Sequence, residues 1–196
     1  MRRGKRLLIS TLFLFLPSIS AAMTQISLKP SYFFFSNSPL KHIYKKGAFE
    51  IQASLAAPIS TYLHLYGSMG YRHAHGHALN TGQGTTLFVI PIDFGLQSIM
   101  PMYKRFRYFF GIGPRFFYFR QHNTSPYVSA HIQGGGVGFF IHSGVNIITT
   151  NRFLVGIFGE YSYEKDSIIS KTSQVYSDGR VQLGGAAFGI TIGYLF

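Results

Sequence analysis

Three sets of residues have the types and spacing that chemistry requires. His73, His75 and His77 recur at every second position, so a strand through them projects three imidazoles from one face. Zinc and copper accept such ligands. No carboxylate or thiolate stands beside them and Gly76 interrupts the run, so a polar loop entry is expected and no metal or other cofactor. His142, Ser143 and Glu160 offer the base, nucleophile and acid of an acyl transfer. Neighbours in a strand point to opposite faces, however, so His142 and Ser143 diverge. Pairing the flanking segments about Thr150 sets His142 diagonal to Glu160, and a structural His–Glu hydrogen bond is expected. Asp93 and Arg115 lie symmetrically about position 104, as direct or diagonal cross-strand neighbours in a hairpin, and an ion pair is expected. The chemistry is structural, and no enzyme is expected.

The elements that must position these residues follow a leader. Arg2, Arg3, Lys5 and Arg6 precede an apolar stretch from Leu7 to Leu16, then the small residues Ser20-Ala21-Ala22. That is the layout of a secretory signal peptide over 1–22, cut after Ala22, with one domain over 23–196. Beyond it no apolar run approaches the roughly 20 residues of a spanning helix. Strands are expected at 24–35, 47–57, 61–73, 85–98, 107–119, 136–148, 152–164 and 181–196. The connectors alternate. Ala57–Ser60, Met100–Arg105 and Thr149–Asn151 are tight, whereas Ser36–Lys46, Ala74–Gly84, Arg120–Gly135 and Lys165–Arg180 are long and polar. Short turns at one end and long loops at the other are the layout of transmembrane barrels. Ten strands remain the competing number if either of the last two connectors pairs further.

Within the strands, apolar residues alternate with small or polar ones. Phe188, Ile190, Ile192, Tyr194 and Phe196 share one face, and Phe88, Ile90, Ile92, Phe94 and Leu96 share another. The opposite faces collect Lys29, Glu50, Arg72, Asp93, Arg115 and Glu160, with His142: three bases against three acids. Such a balance is needed only if that face is enclosed, because an unpaired buried ion costs several kcal/mol, of order 3–5. Tyr108, Tyr194 and Phe196 mark the short-turn rim of the apolar face, and Phe34, Phe49, Tyr71, Phe116, Tyr118, Tyr161 and Tyr163 the other. Two aromatic girdles around an aliphatic band are expected where a barrel meets lipid. Pro91 and Pro114 interrupt adjacent strands, as a pair of bulges or as a seam.

Composition narrows the partners. Charged residues are 12% of the chain, and there is no cysteine, so disulfides and thiolate sites are excluded. Four of the 18 basic residues fall in the leader, leaving 14 against six acids; they are scattered, and no nucleic-acid partner is expected.

The closing run Phe188-Gly-Ile-Thr-Ile-Gly-Tyr-Leu-Phe196 resembles the last strand of small outer-membrane barrels, which end in an aromatic residue. Tyr108-Phe-Phe-Gly-Ile-Gly113 looks like their fifth strand. Gly144-Val145-Asn146, Asn151-Arg152-Phe153 and Glu160-Tyr161-Ser162-Tyr163 look like their sixth and seventh. The group includes the OmpA membrane domain, OmpX, the neisserial opacity proteins and the OmpW-like barrels. The resemblance implies an all-β, eight-stranded antiparallel up-and-down transmembrane β-barrel in the outer membrane of a Gram-negative-type bacterium. It implies lipid and lipopolysaccharide as surroundings. It also implies the barrel-assembly machinery as a partner that reads Phe188, Ile190, Ile192, Tyr194 and Phe196. Some barrels of this kind deacylate lipid A with a His and Ser two positions apart; the adjacent His142 and Ser143 depart from that pattern. The function expected is structural or surface interaction through the long loops, with an extracellular ligand or host surface as partner. The alternative is a narrow channel for small hydrophobic solutes, opening sideways near Pro91 and Pro114 as OmpW-like barrels are thought to do.

Overall fold

Alternation over eleven residues is enough to wall a barrel, and β1 shows how. Every odd-numbered residue from Gln25 to Phe35 turns inward, and Ile26, Leu28, Tyr32 and Phe34 turn outward. The computed structural model describes residues 23–77, 82–124, 131–149, 152–166 and 182–196. Eight strands follow: β1 (Gln25–Phe35), β2 (Ala48–Pro58), β3 (Leu63–His77), β4 (Gly84–Tyr103), β5 (Phe106–Asn123), β6 (His131–Ile148), β7 (Phe153–Asp166) and β8 (Gly185–Leu195). Each pairs antiparallel with the next, and β8 pairs with β1 to close the barrel. The strand number is therefore eight, not ten.

The outward residues are large and apolar: Ile157 is 67% exposed, Phe188 61%, and Leu65 and Met69 57% each. In a soluble protein this face would be a core. Here it is the outside, and the polar residues are the inside. No helix among the described residues is long and apolar enough to cross a membrane; the strands carry the apolar band.

At one end the connections are tight. Lys104 and Arg105 alone join β4 to β5, with Lys104 in the left-handed region at φ 28°. Between β2 and β3 the carbonyl of Leu63 accepts from the amides of both Ile59 and Ser60. At the other end, the expected loop over 36–46 holds a short helix, α1 (Ser38–Ile43), with proline in its first turn. Leu40 and the following Tyr44 tuck into the barrel mouth and are buried, which anchors α1 as a lid.

Three expectations need correction. The connectors over 74–84 and 120–135 are strand at both ends: β3 reaches His77, and β5 and β6 run to Asn123 and from His131. Alternation continues there in polar residues, with Ala74, Thr85 and Asn123 inward and His75, Thr86 and His122 outward, so hydrophobicity alone marks the strand ends too early. β4 likewise continues through Tyr103, with a register shift between Pro101 and Tyr103. Finally, Pro91 and Pro114 are not bulges. The β3–β4 register is the same before and after Pro91, and the β4–β5 register the same before and after Pro114. Each proline instead leaves a two-residue gap in one ladder, opposite 70–71 and 94–95 respectively, because it lacks the N–H that pairing needs. Pro30 does the same between β1 and β8.

Candidate functional site

The lumen is built in three layers. Nearest the lid, Phe33, Phe35, Leu87, Val89, Phe117 and Phe119 pack around Leu40 and Tyr44. Nearest the tight turns, Tyr66, Ile99, Phe109, Phe140 and Phe158 form a second apolar cluster. Between them lies an ionic layer, whose two arginines are the largest fully buried side chains among the described residues.

Strand register creates the first pairs. Glu50 stands directly opposite Arg72 in the β2–β3 ladder, and Asp93 directly opposite Arg115 in the β4–β5 ladder. Arg72 Nε donates to Glu50 Oε2 at 2.7 Å. Arg115 forks onto Asp93, with Nε to Oδ1 at 2.6 Å and Nη2 to Oδ2 at 2.8 Å. The two hairpins are then joined through β7. Both Nη atoms of Arg72 donate to Glu164 at 3.1 Å, and Arg115 Nη1 reaches the same carboxylate at 3.1 Å. Arg115 Nη2 also donates to Glu160 Oε1 at 2.6 Å. Ser68 donates to Asp93, Ser162 to Glu164, and Gln52 Nε2 to both Glu50 and Glu160. The Arg72 guanidinium lies 3.4 Å over the Phe33 ring, which is one way to enclose the cation without water.

Lys29 sits just outside this layer. Its ammonium donates to the Tyr66 hydroxyl at 3.1 Å and lies within 5.4 Å of the Tyr66, Phe109 and Phe158 ring centroids. The other luminal candidates, Glu50, Arg72, Asp93, Arg115, His142 and Glu160, all lie inside the barrel, between 0% and 4% exposed.

Two details differ from expectation. Glu164 makes the tally three bases against four acids. Glu164 lies within the expected strand 152–164, and alternation from Glu160 through Ser162 puts it on the inward face, so the sign is present in the sequence. His142 is the direct partner of Glu160, not its diagonal, and the expected hydrogen bond is not made. Glu160 is held by Arg115 and Gln52, and a charge-assisted bond outweighs one to a neutral imidazole. The His142 ring instead packs edge-on to Tyr66 at 4.6 Å and beside Phe109 and Phe140. With His142 and Ser143 on opposite faces and the Ser143 hydroxyl donating to Tyr108, the acyl-transfer grouping does not assemble.

Outside the barrel, His73, His75 and His77 share the outward face of β3. The His73 and His75 rings meet edge-on at 4.2 Å, and His73 stacks on Phe88. No group of three metal-ligating side chains converges among the described residues. The terminal residues Phe188, Ile190, Ile192, Tyr194 and Phe196 line the outer face of β8, with Tyr194 between the Phe153 and Phe196 rings. The leader over 1–22 lies outside the described residues.

No family model matches the chain, and no curated relative matches its sequence. Among solved structures it is similar to the outer membrane protein OprG of Pseudomonas aeruginosa, with TM-score 0.61 and 13% identity over 90% of this chain and 96% of that one. It is also similar to Ail, the attachment invasion locus protein of Yersinia pestis (0.54, 10% identity, 90% and 100% covered), and to Neisserial surface protein A (0.52, 12%, 90% and 98%). Identity this low speaks to architecture alone. With its closed eight-strand order, the chain has the fold of the small outer-membrane β-barrels.

Proposed function

We propose that the mature chain, after removal of residues 1–22, is an integral outer-membrane barrel with a sealed lumen, acting at the cell surface through its lid end as a structural or surface-interaction protein. The observation that carries this reading is the inversion of polarity. A continuous exterior of Ile, Leu, Phe and Met needs hydrocarbon to cover it, while the charged side chains pair with one another inside. The lumen supports a sealed role, because the Arg72–Glu164 and Arg115–Glu160 contacts cross it between two apolar layers. The lid end presents exposed Lys41, Lys45 and Lys46, a basic surface suited to acidic partners outside the cell. Assembly through the terminal strand belongs to the same reading.

Planar-bilayer recording and intact-cell proteolysis test it together. The reconstituted protein is expected to give no steps above the lipid baseline, and external protease to cut near the lid while leaving the tight-turn end whole. N-terminal sequencing of the envelope form is expected to begin at Met23. Reproducible conductance, or a chain that stays monomeric in water without detergent, would overturn the reading.

The second reading, a narrow channel for small hydrophobic solutes with a lateral opening, is favoured by the ladder gaps on both sides of β4. It requires the amides of 70–71 and 94–95 to exchange hydrogen faster than those of the uninterrupted β6–β7 ladder. Uniform protection around the wall removes it.

A further inference from the structure

On the outer face of β3 to β6 the change from apolar to polar falls at one level. His73 pairs with Phe88, Phe88 with Arg120, and Arg120 with Gln133, forming one transverse row. The next row away from the apolar band is His75, Thr86, His122 and His131, again direct partners in turn. On the other side of the row stand Tyr71, Ile90 and Tyr118, where the apolar band begins, 36–47% exposed. Together these rows line a groove of about 640 Å³. The His122 and His131 rings lie 4.7 Å apart across β5 and β6.

The charge in this groove is one-sided. Arg120 is exposed and has no hydrogen-bond or ion-pair partner among the described residues, and no acid lines the groove. The acids with described side chains, Glu50, Asp93, Glu160 and Glu164, are all buried in the lumen. A guanidinium beside imidazoles, open to solvent and without a counter-charge among the described residues, is arranged to receive a phosphate. The aromatic and aliphatic floor beside it continues into the face that hydrocarbon covers, so the occupant must be an amphiphile.

We propose that this groove binds the phosphate-bearing headgroup of an outer-leaflet glycolipid. Arg120, with His122 and His131, receives the phosphate, and Tyr71, Phe88 and Ile90 receive the first part of an acyl chain. The inference rests on the outer-membrane reading above and adds a site to it.

The test uses the folded full-length barrel in nanodiscs or detergent and native mass spectrometry of lipid retention. Four probes are compared: a bisphosphorylated lipid A-type glycolipid, its dephosphorylated form, phosphatidylglycerol and inorganic phosphate. The phosphorylated glycolipid is expected to bind about tenfold tighter than its dephosphorylated form, the size of one charge-assisted contact. Arg120→Gln combined with His122→Gln and His131→Gln is expected to abolish that preference, and Arg120→Lys with both histidines kept to retain part of it. All three positions are exposed, and unchanged heat-modifiable gel mobility checks that the variants are folded. Equal retention of the two glycolipid forms, equal retention by wild type and triple variant, or competition by inorganic phosphate as strong as by the glycolipid overturns the proposal. So does a preference for phosphatidylglycerol. A protein that fails to enter lipid at all overturns the outer-membrane reading instead.

Discussion

Arg115 donates to three carboxylates, from Asp93, Glu160 and Glu164, and all three are buried. Arg115→Met is therefore expected to destabilise the folded barrel by about 3–5 kcal/mol, because it strands buried acids. Arg120→Met, on the exposed outer face, is expected to stay within about 0.5 kcal/mol. Urea titration in detergent, compared at constant slope, measures both. Much of this layer was legible from alternation alone. Once β4 and β5 are taken as a hairpin, Asp93 and Arg115 can only face the same way and meet. What the sequence hid was competition between donors for one carboxylate. Nothing in the spacing of His142 and Glu160 says that Arg115, two strands from Glu160, outbids the imidazole on the adjacent strand.

At the scale of elements, the wall is fitted as tightly as the lumen. Phe109 lies opposite Gly144, and a Cβ added to Gly144 would meet the Ile157 carbonyl oxygen first and stand 2.6 Å from the Phe109 ring, so the glycine makes room for both the neighbouring strand and the aromatic. Gly144→Val is expected to cost about 1–3 kcal/mol by overpacking. Phe109→Leu in the same chain is expected to return part of it, seen as a non-additive double-mutant cycle. The terminal strand carries a separate prediction: removing Phe196 is expected to lower the yield of heat-modifiable protein in the outer membrane without preventing refolding in detergent. Equal yields with and without Phe196 would end its role as an assembly signal. Strand existence was readable because each segment alternates. Strand length was not, since polar alternation in β3 to β6 looks like loop to any argument built on hydrophobicity. Helix α1 was not legible for a related reason: six residues are too few to show a helical period, and it is packing of Leu40, Ile43 and Tyr44 on the barrel mouth that holds it in place.

At the scale of the whole molecule, the decisive choice is which face looks outward, and alternation with the two aromatic girdles points to it from sequence; the three-to-three charge balance does not, since Glu164 adds a fourth buried acid. The strand number did not follow from composition. It follows from β1 meeting β8, a contact between the two ends of the barrel sequence. The Arg72–Glu164 pair gives that number a physical reason. β3 and β7 stand on opposite walls of an eight-stranded ring, and their side chains reach each other straight across it. Barrel diameter grows with strand count, so two more staves would pull these groups beyond bonding distance. An uncurled sheet could not join them either. The guanidinium and carboxylate thus act as a gauge of circumference: both keep their hydration while the wall is open, and only a ring of the right girth lets them exchange water for each other.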